Sequence, residues 1–235
     1  MTEARSPTST PGQRIAVVGS GIAGLASAYL LARRHHVTLF EGDKRLGGHT
    51  HTVDITLGGV TAPVDTGFLV FNDRTYPNLI ALFDELGVAS HASDMSFGVS
   101  VDAGRLEWAG SNLGTVFAQP RNLVSPGFLG MLADILRFNR EAPANLRRAE
   151  ADGATLGQLL AEGGYRPQFR DAYLLPMAAA IWSSPAGDIL QFPAASFLRF
   201  CLNHGLLQIN DRPQWRSPLG GGRSYVQRIA ATLPD

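Results

Sequence analysis

The sequence predicts an α/β fold, a parallel βαβ unit carrying a helix-rich insertion, and three observations predict it. Arg14 to Val18 (RIAVV) is a short β-branched run with the character of a parallel strand buried on both faces. It leads straight into Gly19, Ser20, Gly21, Ile22, Ala23 and Gly24, after which Ile22 to Arg34 is rich in Ala and Leu and reads as a helix. Helical patterns then dominate from about residue 91 to residue 212, before residues 213–235 return to the first unit.

The composition bounds what such a fold can do. With 235 residues the chain is long for one compact domain and short for two, which fits one large domain with an insertion. Apolar residues at 45% against charged residues at 17% exclude a generally disordered chain, since there is enough apolar surface to offset ordering entropy. Twenty Lys and Arg balance twenty Asp and Glu, and no basic residues recur on a helical or strand period. Nucleic acid is therefore not an expected partner. A single cysteine, Cys201, excludes an internal disulfide framework and a multi-cysteine metal site, and fits a reducing, cytoplasmic setting. Residues 1–13 are polar and Pro-rich, without the apolar core of a signal peptide, and read as a loose tail. The uncharged stretch Ala16 to Ala32 is slightly short for a membrane span and is interrupted by three glycines, so no transmembrane segment is expected.

Each part of the opening unit has a mechanical task. The helix closes with Arg33, Arg34, His35 and His36, where positive charge complements a helix C-terminus, and VTLFE follows as a second strand ending in Glu41. Strand, G-x-G-x-x-G, helix, strand and acid together form a dinucleotide-binding pattern. Gly19 permits the tight turn, Gly21 lets backbone approach a pyrophosphate, and Gly24 lets the helix pack on the strand. The helix N-terminus supplies N–H groups and a partial positive charge for phosphate oxygens. Glu41 follows Gly19 by twenty-two residues, near the spacing at which an acid accepts hydrogen bonds from a ribose. Gly42 stands next, where a reader of a ribose phosphate more often offers arginine. The unit by itself does not separate NAD from FAD.

Beyond Glu41 the chain continues through Arg45 to Gly47, Gly48 and His49, a loop whose adjacent glycines let backbone lie against a ligand. Val53 to Leu57 and Val60 to Asp65 then read as a hairpin around Gly58-Gly59, leading into Thr66, Gly67 and Phe68. Asp65 is either a solvated turn acid or a direct ligand. His49 and His51 share a face if extended, but without a third clustered ligand no metal site is expected. Thr75 as N-cap, Pro77 in the first turn, an apolar stripe from Leu79 to Leu86 and Gly87 at the stop delimit a helix. Ser96 to Val101 and Arg105 to Trp108 alternate around Asp102-Ala103-Gly104 as a second hairpin. A helix starting near Phe128 is expected to end at Pro143, with further helices over residues 156–162, 167–181 and 194–206. Trp108, Phe117, Tyr173, Trp182 and Trp215 either line an apolar substrate pocket or belong to the core. Cys201 lies at helical spacing with Phe197, Leu198 and Leu202, as a buried small apolar side chain would.

The E-x-x-x-R-x-G-G sequence after the second strand resembles the flavin amine oxidase and phytoene desaturase superfamily. The stretches HTHTVDITLGGVTAPVDTGFLVFNDRTYPNL, LLPMAAAIWSSP and QWRSPLGGGRSYVQRIAATL are similar to a bacterial subgroup of NAD/FAD-binding, amine oxidase-like proteins. The resemblance implies a Rossmann-like FAD/NAD(P)-binding domain in residues 14–90 and 213–235, with a helix-rich substrate domain over 91–212. It implies FAD as cofactor, with the Gly47–Gly48 loop beside the ribityl and diphosphate and Thr66 to Phe68 near the ring. His49 departs from the arginine common at that position. The reaction implied is hydride transfer from a C–N or C–C bond to flavin, on a small-molecule or lipid-like apolar substrate. A lysine near the flavin is frequent in the amine oxidases, whereas the lone lysine here, Lys44, falls in the nucleotide loop, which leaves room for desaturation and assigns no catalytic residue. Because the superfamily continues past the P-x-G-G helix element, the resemblance implies that the chain is incomplete at its C-terminus and open to a complementary chain or oligomer. Two other readings stand beside it: a non-catalytic nucleotide-binding fragment and an NAD-dependent dehydrogenase.

Overall fold

The computed structural model describes residues 12–182 and 184–233, so the expected tail lies outside the described residues up to residue 11. The chain forms two compact units: one ends at Ser93 and resumes at Gln214, and the other spans Asp94–Pro213.

In the first unit, strand β1 (Arg14–Val18) and strand β2 (His36–Phe40) pair in parallel, Val17 opposite Leu39, and helix α1 (Ile22–Ala32) connects them. Burial of β1 on both faces is not what forms. Its residues alternate, and Val18 is 84% exposed, because the sheet has two strands and α1 covers only one side of them. β3 (Thr52–Leu57) and β4 (Val60–Asp65) make the expected hairpin around Gly58 and Gly59, both at positive φ. β5 (Phe71–Asn72) and β6 (Ser90–Ser93) flank β9 (Trp215–Pro218), all antiparallel. Helix α2 (Pro77–Leu86) stops at Gly87 with φ 68°, the left-handed cap that glycine provides. Its N-cap is Tyr76 and not Thr75, whose backbone N–H and hydroxyl both donate to Asn72 Oδ1, at 2.9 and 3.1 Å. Leu25, Phe71, Phe83, Val88, Tyr225, Val226 and Ile229 form the core where α1, α2 and α10 (Arg223–Ala230) meet.

The second unit opens with the hairpin β7 (Gly98–Val101) and β8 (Leu106–Ala109), its turn held by left-handed Asp102, Ala103 and Gly104. Helix α3 (Leu113–Val116) and a 3₁₀ turn (Pro120–Val124) lead into α4 (Pro126–Asp152), N-capped by Ser125. α4 runs through Pro143. A proline inside a helix costs about 3 kcal/mol, but the turns on either side bury Ala142 and Ala149 and pack Leu146 into the core, which offsets it. α5 (Leu156–Glu162) starts at a capping box of Thr155 and Gln158. The expected helix over 167–181 is broken into α6 (Pro167–Phe169), a π-helical stretch (Arg170–Leu174) and α7 (Leu175–Trp182). After α8 (Ala186–Ile189), α9 (Ala194–Asn203) ends three residues earlier than expected, because Gly205 turns left-handed at φ 65°. Trp108 and Tyr173 are buried core residues, with Phe117 and Trp182 packed against the same cluster. Cys201 is fully buried there, and burial pushes its thiol up to about 12. Among the described residues no helix is long and apolar enough to cross a membrane, and no three His, Cys, Asp or Glu side chains group as metal ligands.

Candidate nucleotide-binding site

Built up from single residues, the turn between β1 and α1 shows what each glycine is for. Gly19 sits at φ 91°, a conformation that side chains resist, and its N–H donates to the Phe40 carbonyl at 2.7 Å, tying the turn to β2. At Gly24 an added Cβ would lie 1.8 Å from the Gly19 carbonyl oxygen, so helix and turn touch backbone to backbone. At Gly21 it would meet nothing within 4 Å, although Gly21 caps the N-terminus of α1. Open space thus lies at a helix N-terminus, whose N–H groups and partial positive charge favour an anion. Ile22 is partly exposed on the first turn, and Ala23 lies exposed beside it.

Ser20 joins three segments. It is fully buried; its hydroxyl donates to Glu41 Oε2 at 2.5 Å, its backbone N–H donates to the same oxygen at 2.8 Å, and the Gly47 N–H donates to its Oγ and to its carbonyl. The side chain of Ser20 and both of its backbone polar groups are thus spent on the scaffold, so Ser20 shapes the site and does not contact a ligand by hydrogen bond. The Ser20 hydroxyl, with the Asp43 N–H next, holds the Glu41 carboxyl down at about 2. Glu41 is therefore ionised at any physiological pH, as an acceptor for ribose hydroxyls must be.

Arg45 does not point outward to an anion. Its Nη1 donates to the Thr50 carbonyl at 2.5 Å and its Nη2 to that of Gly48 at 2.7 Å, so it braces its own loop. That loop lies directly on the phosphate turn, for a Cβ on Gly48 would be 2.9 Å from the Gly21 Cα. His49 is exposed, and its carbonyl meets Gly67 so closely that a Cβ there would fall 1.8 Å away. Thr66 is exposed and its hydroxyl reaches His51 Nδ1 at 3.1 Å, whereas Phe68 turns its ring edge to Tyr225. Contacts thus link the Gly19–Gly24 turn to Glu41 through Ser20 and to the second loop through Gly48, and link His49 to Gly67.

Sequence reasoning left a further set of residues unassigned. Asp65 is neither a solvated turn acid nor free for a ligand, because its carboxylate accepts from Thr52 Oγ1 at 2.5 Å and from the Gly222 N–H at 3.0 Å. It thereby fixes the start of α10 with negative charge at a helix N-terminus. Gly220 and Gly221 hold positive φ, and a Cβ on Gly222 would crowd Thr50. The Thr50 and Tyr225 hydroxyls meet at 2.5 Å, and Arg223 pairs in two bonds with Asp54. The signal was the LGGGRSY run, a glycine turn opening a helix in the same style as GSGIAG.

This is the architecture of an NAD(P)-binding Rossmann-like domain, and residues 17–86 match that family. The NAD(P)-binding domain it carries is similar to that of the flavin amine oxidase and desaturase superfamily. It is 31% identical over 234 residues to a Mycobacterium tuberculosis protein named as a flavin-containing monoamine oxidase, covering 93% of this chain and 48% of that protein. It is 30% identical over 185 residues to the carotenoid φ-ring synthase of Chlorobaculum tepidum, covering 73% of this chain and 28% of the synthase. Cyclohexylamine oxidase from Brevibacterium oxydans shares the fold with a TM-score of 0.61 at 24% identity, over 96% of this chain and 50% of the oxidase. Putrescine oxidase bound to putrescine shares it with a TM-score of 0.62 at 22% identity, over 95% of this chain and 50% of that one. The chain thus spans about half the length of its mycobacterial relative.

Proposed function

We propose that this chain binds FAD and supplies the dinucleotide-binding part of an oxidoreductase that takes hydride from a C–N or C–C bond. The observation that carries the reading is the open space at Gly21, framed by the N-terminus of α1, the Gly48 backbone and the ionised Glu41. In it the backbone N–H groups at the start of α1 face the pyrophosphate, Glu41 accepts from the adenosine ribose, and Gly47 to His49 with Thr66 and Gly67 lie along the rest of the cofactor. When bound, flavin supplies the two-electron chemistry, and the protein orients it and excludes competing reactions. A flavin rather than a nicotinamide is favoured by the second glycine loop, which extends the contact surface beyond one βαβ unit, and by the flavin named in the mycobacterial relative. Relatives named for amine oxidation and for carotenoid ring formation keep both amines and apolar polyenes within the substrate class. A cytoplasmic setting is part of the proposal, supported by a lone cysteine that is buried and unpaired.

Titration of FAD into the chain, followed by quenching of flavin fluorescence, tests the reading, with NADH titrated in parallel. Saturable FAD binding that Gly21→Val removes is the expected result. Binding of NADH in preference to FAD would shift the reading to a dehydrogenase, and FAD binding unaffected by Gly21→Val would remove this site from it.

A further inference from the structure

We propose that an open cleft in the Asp94–Pro213 unit binds an apolar monocarboxylate, its head held by Arg121 and Asn122 and its tail lying against Val101, Leu106 and Phe128. The inference uses none of the dinucleotide-binding residues. The cavity has a volume of about 540 Å³, within the range of about 300–1,000 Å³ that small-molecule sites occupy. Its walls come from the β7–β8 hairpin, from the 3₁₀ turn with the start of α4, and from the π-helical stretch after α6.

Three separate observations point to a ligand there. First, Asn122 lines the cavity, is only 4% exposed, and its Nδ2 finds no acceptor among the described residues. A buried amide donor without a partner is costly, and a turn of the Asn122 side chain toward the cavity would give it a carboxylate oxygen. Second, Asp171 and Ala172, which also line the cavity, lie in a π-helical stretch, a geometry that wastes helical hydrogen bonding and recurs at functional sites. The Ala172 carbonyl accepts from Trp108 Nε1 at 3.3 Å, which fixes the wall. Third, the charges on the lining do not cancel. Asp171 is neutralised by Arg170 through two bonds at 2.6 and 2.9 Å, and Arg105 by Asp102. Arg121, at the exposed rim, meets only the carbonyls of Arg105, at 2.6 Å, and Gly104, at 3.3 Å, among the described residues, so no carboxylate pairs with its charge. The positive end of the 27-residue helix α4 adds to it, with Ser125 at its N-cap. A surplus of positive charge and donors beside apolar walls selects an anion with an apolar body, and an arginine fork with a planar amide selects a carboxylate.

The test is calorimetric titration of the whole chain with octanoate, and with octylamine, which has the same tail and the opposite head. Octanoate is expected to saturate one site, and octylamine to show none. Arg121→Gln should weaken octanoate binding about tenfold, the worth of one charge-assisted hydrogen bond. Asn122→Leu, which replaces the orphaned amide with an apolar side chain of similar size, should weaken it several-fold while the melting midpoint stays at or above that of the unsubstituted chain. Should Arg121→Gln fail to fold, Asn122→Leu and the two wild-type titrations still decide. Absence of octanoate saturation, octylamine binding as tight as octanoate, or undiminished affinity in folded Asn122→Leu would each overturn the proposal. FAD titration of the same variants separates this site from the dinucleotide site, because neither substitution should alter it.

Discussion

Two glycines three residues apart on the same turn should respond to substitution in opposite ways. At Gly24 a methyl group falls 1.8 Å from the Gly19 carbonyl oxygen, and it must move out to at least the 3.0 Å of a tolerable contact, a displacement of about 1.2 Å. What it meets is backbone, held by the Gly19 N–H bond to Phe40, so the helix must move instead. Overpacking costs about 1–3 kcal/mol, and a backbone obstacle puts Gly24→Ala at the upper end. Roughly 3 kcal/mol corresponds to a fall in melting midpoint of about 6–12 °C for a chain of this size. At Gly21 the backbone has φ −62° and ψ 172°, open to any residue, and an added Cβ meets nothing within 4 Å. Gly21→Val should therefore change stability by no more than about 1 kcal/mol, the difference between a glycine and a valine N-cap, yet lose FAD. Urea melts followed by circular dichroism, with FAD titration of the same samples, read both quantities. Equal destabilisation by the two substitutions, or FAD retained by Gly21→Val, would refute the division of labour between them.

Glu41→Gln should weaken FAD binding, and in the unsubstituted protein binding should hold constant from pH 8 down to pH 5, checked by titration across that range. The sign follows from a carboxyl lowered from 4.5 to about 2: its contribution to folding is complete above 4.5 and is lost as pH falls toward 2, so acid melts should show the loss in that window. Cys201, raised from 9.0 to about 12, should resist iodoacetamide in the folded chain and react fully in urea, and its burial should make stability decline as pH rises above 9. Rapid alkylation of the folded protein would contradict that burial. Asp65→Ala removes the acceptor for Thr52 and for Gly222 and should cost about 1–3 kcal/mol, measured by urea melt, with FAD binding weakened less than by Gly21→Val.

The parts legible in the sequence were those whose geometry is decided within a few residues. A G-x-G-x-x-G run between a strand and a helix states its own turn, and Gly87 after an amphipathic stripe states its own stop, because left-handed backbone is needed at that residue. The two hairpins were equally local. Pro143 misled, since its cost is local whereas the packing of Leu146 and Ala149 that outweighs it comes from elsewhere in the chain. The π-helical stretch was hidden for the same reason: the Trp108 indole that takes up the Ala172 carbonyl lies 64 residues away. Asp65 and Gly222 are 157 residues apart, and an acid carries no mark of which N–H it will find.

Ser20 shows how a local motif and its distant supports become one device. In the fingerprint it is merely the variable residue between two glycines, yet its hydroxyl and N–H occupy Glu41 Oε2, and the Asp43 N–H occupies Oε1. A carboxylate has about four lone-pair positions, and most of those on Glu41 are taken by Ser20 and Asp43. The acid proposed to recognise the sugar is therefore also the clamp joining the β1–α1 turn to the end of β2. Through the Gly47 N–H on the same serine, that clamp extends to the second glycine loop. Glutamine at position 41 would place an amide donor among donors, so its effect on ligand binding has to come partly through the loops. That is why the binding loss in Glu41→Gln should exceed what one ribose hydrogen bond is worth.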